Sequence, residues 1–92
     1  MVLRKTVNRQ IWRCEGFEVK IKHDGRVIKS NCSLPVYTYE NALKNVKSVA
    51  QWKIDRFSRC YPGYEVDVLD AKGKVARGKT KLGTVRDTYL EG

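Results

Sequence analysis

Ninety-two residues, 41% of them hydrophobic, suffice for a single domain spanning 1–92 and leave room for neither a second core nor a ligand cleft of the usual size. Nineteen Lys and Arg stand against 10 Asp and Glu, a formal charge of +9 with the single histidine neutral. Such an excess repels itself unless an anion relieves it, which argues for a polyanionic partner such as nucleic acid or a nucleoprotein; a generic basic protein is the plainer reading.

No stretch approaches the roughly 18 apolar residues of a membrane span, and MVLRKTVNRQ is too polar for a signal peptide, so the expected compartment is the cytosol. Cys14, Cys32 and Cys60 are odd in number and contain no CxxC pair, which favours free thiols over a disulfide framework. Together with His23 they match no common metal-ligand spacing, and neither a metal nor another cofactor is expected.

In chain order, residues 1–13 carry no assignment beyond a candidate extension of the first strand over Gln10–Arg13, and 1–9 read as a candidate loose end. Phe17 to Lys22 alternate apolar and charged, and Asp24-Gly25 supplies the dipeptide of a two-residue type I′ turn. That register sets His23 opposite Arg26, Ile21 opposite Ile28, Val19 opposite Ser30 and Phe17 opposite Cys32, and it brings Lys20 against Lys29. Like charges across a ladder repel, so Lys20, Lys22, Arg26 and Lys29 read either as an anion-binding patch or as a charged solvent face that blocks edge pairing.

After Leu34-Pro35 the spacing predicts a long helix from Tyr39, capped by Thr38 and ending near Arg59 or Cys60 before Pro62-Gly63. Its apolar stripe is Tyr39, Leu43, Val46, Ala50, Ile54 and Phe57. Trp52 then falls on the outer face among Lys53, Arg56 and Arg59, a candidate partner-binding surface, unless the N-terminal segment with Ile11 or Trp12 folds over it.

Tyr64, Val66 and Val68 begin a second hairpin that turns at Asp70–Gly73, with Gly73 left-handed. It sets Asp67 opposite Arg77 and Glu65 opposite Lys79, leaving Lys81 as the unanswered cation, with Lys72 and Lys74 near the turn. Thr84–Leu90 reads as a short added strand or as part of a loose end over 84–92. The expected fold is α+β, two-layer, ββαββ in order, with one four-stranded antiparallel sheet and one long helix across it.

Catalysis finds little support. His23 sits in a turn, Asp67 and Asp70 point to opposite faces of a strand, and no G-x-S-x-G, phosphate-cradling Gly loop or H-E-x-x-H occurs. A non-enzymatic binding protein is expected. RRM-type recognition is disfavoured because Phe17 and Tyr64 fall on the core face, and one helix does not make a helix-turn-helix. A β-ribbon entering a DNA groove through Lys20, Lys22, Arg26 and Lys29 stays open.

In size and element order the run RQIWRCEGFEVKIKHDGRVIKSN, the helix ENALKNVKSVAQWKIDRF and the hairpin YEVDVLDAKGKVARGKTK resemble small phage proteins that inhibit CRISPR-Cas systems, the type I-F anti-CRISPR group in particular. These inhibitors share no common motif, so no residue carries over by position. The resemblance implies a stoichiometric inhibitor docked on the RNA-guided surveillance complex, blocking hybridisation of target DNA. A charge of +9 excludes acidic DNA mimicry, so the implied contacts are with protein subunits, through the helix around Trp52, and with guide RNA, through the basic hairpin and Lys81. The alternatives are a free-standing basic DNA- or RNA-binding regulator, using a β-hairpin and helix surface, and a protein-only interaction module.

Overall fold

A computed structural model describes residues 1–90. Its elements in chain order are β1 (Val2–Leu3), α1 (Arg4–Glu15), β2 (Glu18–His23), β3 (Arg26–Val27), β4 (Ser33–Leu34), α2, β5 (Glu65–Leu69) and α3 (Leu82–Leu90). Helix α2 is composite, with α turns at Val49–Trp52 and Ser58–Cys60 flanking a π segment, Lys53–Phe57.

The fold is α+β, but the expected four-stranded sheet with one long helix is not formed. Instead there are three helices among the described residues, a two-stranded sheet β1-β4 and a three-stranded antiparallel sheet in the order β3-β2-β5.

The N-terminal segment is helical. Val7, Ile11 and Glu15 recur every fourth residue and are buried, while Lys5, Arg9, Trp12 and Arg13 face solvent. No side chain caps α1. The amides of Arg4 and Lys5 instead donate to the carbonyls of Cys32 (2.8 Å) and Ser30 (3.3 Å) beside the β1-β4 pair. Gly16, at φ 83, closes the helix by donating its amide to Trp12 O at 2.9 Å.

The Asp24-Gly25 turn forms as expected, with both residues at positive φ, and His23 pairs with Arg26. Pairing stops after Val27, although the Ile28 amide still donates to Ile21 O at 3.0 Å. Lys20 therefore has no paired Lys29 across from it. The long partner of β2 is β5, with Lys20 opposite Asp67, Lys22 opposite Glu65, and Val19, Ile21, Val66 and Val68 together on the buried face. Opposite charges and a shared apolar face both favour this register.

The second hairpin is likewise short. Gly73 is left-handed as expected, at φ 81, and the Leu69–Val75 bridge follows the expected register. Beyond Ala76 the chain leaves the sheet, and the carbonyls of Gly78 and Thr80 accept from Ala50 (3.0 Å) and Val49 (2.8 Å). Residues 77–81 thus satisfy the open amides of the α2 N-terminus in place of a ladder, which takes Arg77 and Lys79 away from Asp67 and Glu65.

The expected helix start at Tyr39 is ten residues too early: the helix begins at Val49, and its cap is Ser48 where Thr38 was expected. Ser48 Oγ accepts from the Gln51 amide, and Gln51 Oε1 accepts from the Ser48 amide, both at 3.1 Å, a capping box that fixes the first turn. The wide π turn then carries Trp52 and Phe57, five residues apart, onto one side with ring centroids 5.8 Å apart. Both are buried, whereas Val46 and Ile54 of the expected stripe are 70% and 68% exposed.

One connected core gathers Val7 and Ile11 of α1, Val19 and Ile21 of β2, Trp52 and Phe57 of α2, and Leu82 and Val85 of α3. The C-terminal segment expected as a strand or loose tail is the helix α3; the 91–92 part of that expectation lies outside the described residues.

Candidate nucleic-acid interface

A buried carboxylate organises the surface. Glu15, with a side chain 0% exposed at the end of α1, accepts from Tyr37 Oη (2.5 Å), the Leu43 amide (2.9 Å), Arg56 Nη1 (2.6 Å) and Arg86 Nη2 (3.3 Å). Burial alone raises its pKa, but the bonds from Tyr37, Leu43 and Arg56 outweigh burial and hold the carboxyl below its ordinary value. Tyr37 is pushed the other way, by burial and by Glu15, and its hydroxyl also accepts from Trp52 Nε1 at 3.1 Å. Arg86 continues the network outward, donating to Leu43 O and Asn45 Oδ1, each at 2.7 Å.

This network fixes residues 35–47, which have no regular structure, and it determines which expected site residues reach solvent. Trp52 is 0% exposed and packs edge-on against Phe17, so it offers nothing to a partner. The expected cover from the N-terminal segment is realised in part, since Ile11 belongs to the same core, while Trp12 lies at the surface. Arg56 is consumed by Glu15 and Asn41 O, Lys53 is half-buried beside Phe57 and Tyr64, and Arg59 is exposed. The expected helix-borne partner surface is therefore reduced to Arg59 with the exposed Ile54.

The expected hairpin patch is also altered. Lys22 Nζ lies 2.6 Å from Asp67 Oδ2 and Lys20 faces the same acid across the ladder, so the outer sheet face is close to neutral. Arg26 and Lys29 are exposed on and just beyond the short edge strand β3, away from that pairing.

Unanswered charge collects elsewhere. Lys72, Lys74, Arg77, Lys79 and Lys81 are all exposed, and none makes an ion pair among the described residues. Residues 71–86 contain no acid. The segment 45–48 lies alongside this loop, through Leu82 N to Lys47 O (2.8 Å), Gly83 N to Asn45 O (3.1 Å) and a bridge between Ser48 and Lys81. That apposition brings the exposed Lys44 and the half-buried Lys47 beside the loop. Gly83 permits it, because a Cβ there would meet Asn45 Cβ at 2.8 Å.

Of the expected nucleic-acid contacts, only Lys81 belongs to this face. Lys44, Lys47, Arg77 and Lys79 were obscured by assigning 39–59 to one helix and 77–81 to a strand, whereas Lys72 and Lys74 were placed near the turn but not joined to Lys81 as one face. The available signals were Ser48-x-x-Gln51 as a helix start and the acid-free run from Ala71 to Arg86. A second cationic row was also missed, Lys5, Arg9 and Arg13 along the exposed side of α1, which the four-residue spacing of Val7 and Ile11 could have revealed.

Among the described residues, no group of three or more His, Cys, Asp or Glu is placed to hold a metal ion, and no helix is long and apolar enough to cross a membrane. Comparison with known proteins gives no match: no family model, no curated protein and no solved structure is similar to the chain.

Proposed function

We propose that this protein is a non-enzymatic, cytosolic nucleic-acid-binding protein whose contact face is the basic loop 72–81 together with Lys44 and Lys47. The observation that carries the reading is the loop itself: five exposed cations in an acid-free stretch, held to α2 and to the 45–48 segment by backbone hydrogen bonds. Backbone anchoring keeps the cations together without consuming their charge, as phosphate contacts require.

The test is the salt dependence of binding to duplex DNA, duplex RNA and the corresponding single strands. If all five loop cations meet phosphates of B-form DNA, log K should fall against log salt with a slope of about −4.5. The triple variant Arg77→Ala, Lys79→Ala, Lys81→Ala should reduce the slope by about 2.7 without altering the melting temperature by more than a few degrees. An unchanged slope would remove the loop from the interface.

A second reading is an inhibitor that binds an RNA-guided CRISPR-Cas surveillance complex, with guide RNA and protein subunits as partners, and blocks target hybridisation. It is favoured by Val46, an exposed apolar side chain between Lys44 and Lys47 that supplies a protein contact beside the phosphate contacts. The two readings separate on bare nucleic acid. A regulator binds it tightly on its own, whereas the inhibitor binds it weakly and a purified guide-loaded effector tightly.

A further inference from the structure

We propose that the groove between α1 and α3 receives an unpaired nucleobase, so that the polyanion recognised is single-stranded nucleic acid. This inference rests on the nucleic-acid reading above and narrows it to a strand type. The groove has a volume of about 460 Å³ and is lined by Trp12, Arg13, Gly16, Arg86, Tyr89 and Leu90.

Its ring surface is held rigidly. Trp12, 40% exposed, meets Tyr89 edge to face with centroids 5.1 Å apart. Tyr89 is fixed in turn, its hydroxyl donating to Leu69 O (2.6 Å) and accepting from the Glu18 amide (3.0 Å). Arg86 forms one wall, but its guanidinium is occupied by Glu15, Leu43 and Asn45. What the groove offers is therefore a preformed aromatic and apolar surface, with Arg86 already satisfied and the exposed Arg13 at its wall. That suits the face of a base, which needs no particular hydrogen bond.

Charge identifies the occupant. Trp12 stands on the same helix as Lys5, Arg9 and Arg13, a row at four-residue spacing facing solvent. The row spans about 12 Å at ~1.5 Å per residue, enough for successive phosphates of one strand. Arg13 belongs to both the row and the groove wall. An aromatic set among cations that track a backbone is the arrangement by which single strands are held, whereas a stacked duplex has no free base to offer.

The two tryptophans make the test direct, since Trp12 is accessible and Trp52 is fully buried. A thymidine homo-oligomer is titrated while tryptophan emission is followed, with a duplex of the same length and a uridine homo-oligomer in parallel arms. The single strands should quench the exposed tryptophan and the duplex should not. Trp12→Phe should keep strand affinity within about threefold while abolishing the quench, and Trp12→Ala should lose at least about fivefold in affinity, the low end of base-stacking losses. The unshifted emission of buried Trp52 reports that both variants remain folded.

Equal affinity of Trp12→Ala and the parent for the strand would overturn the groove assignment while leaving the basic loop intact as the interface. Binding of duplex alone, without a quench, would do the same. Failure of every nucleic acid to bind removes both readings. A dimer of the protein alone that Trp12→Ala dissociates would assign the groove to a second copy and overturn the proposal.

Discussion

Replacing Glu15 by Ala removes the acceptor shared by Tyr37, Leu43, Arg56 and Arg86 and leaves two guanidiniums facing a cavity. Their side chains are only 14% and 17% exposed, so water replaces the lost carboxylate poorly. Breaking a buried ion pair from one side costs about 3–5 kcal/mol. For a chain of this length the whole folding free energy is about 5–14 kcal/mol, so the variant should lose at least a fifth of it, and at the low end most of it. The melting temperature should fall by at least about 12 °C, at about 4–8 °C per kcal/mol. Glu15→Gln should fall between parent and Ala, because its one carbonyl keeps a single pair of donors, Tyr37 with Arg56 or Leu43 with Arg86, while its amide confronts the other pair. Thermal melts followed by circular dichroism, with urea titration as a check, measure all three. A drop of less than about 4 °C for Glu15→Ala would mean that the network contributes no more than an exposed pair, and the account of how 35–47 is held would fail.

The Glu15 carboxyl is held below its ordinary pKa, so the folded state binds fewer protons there; its contribution is complete above about pH 5 and is lost as pH falls through the folded value, and Glu15→Gln should flatten that acid limb of the melting profile. Cys14, whose pKa burial and the adjacent Glu15 push up to about 11, should react with thiol reagents at neutral pH more slowly than free cysteine, and an equal rate would contradict its placement. Gly83→Ala, normally stabilising by up to ~1 kcal/mol within a helix, should instead destabilise and weaken nucleic-acid binding, because the new methyl group displaces Asn45; a raised melting temperature would refute that contact. Tyr61 has a buried hydroxyl with no hydrogen-bond partner among the described residues, so Tyr61→Phe should be neutral or stabilising by ~1 kcal/mol in denaturant unfolding, whereas Tyr37→Phe should destabilise.

Turns were the most legible parts of the sequence. Asp24-Gly25 and Gly73 require left-handed backbone, which few residues adopt, so both positions and both hairpin registers could be read directly. Strand length and partnership could not, because Lys20 is as well placed against an acid on β5 as against solvent, and alternation says nothing about which strand lies alongside. The helix was misplaced for a related reason. Apolar residues at three- and four-residue steps continue from Tyr39 through Phe57, but the π turn rotates the sequence after Trp52, so extrapolating an ideal period exchanges the buried and exposed faces. Trp52 and Ile54 are the two residues on which that exchange is plainest. Glu15 was not legible at all: an acid at a helix end reads as solvated until Arg56 and Arg86, 41 and 71 residues away, are brought onto it.

The arginines that fold this protein are not the ones that can serve a partner. Arg56 and Arg86 are spent on Glu15, and Lys22 on Asp67, so these three cations contribute to the formal +9 but little to the external field. What they do externally is indirect. Arg86 holds Leu43 O and Asn45 Oδ1, and Asn45 O receives Gly83, so the buried ion pair is tied to the segment that carries Lys44 and Lys47 alongside the basic loop. Bringing like charges together is unfavourable without an anion, and the backbone hydrogen bonds around Gly83 offset that repulsion in the free protein. A phosphate strand laid across the face would relieve it, so that binding of the proposed partner and folding would stabilise one another. Ligand should accordingly raise the melting temperature of the parent, and by less in the Arg77, Lys79, Lys81 triple alanine variant.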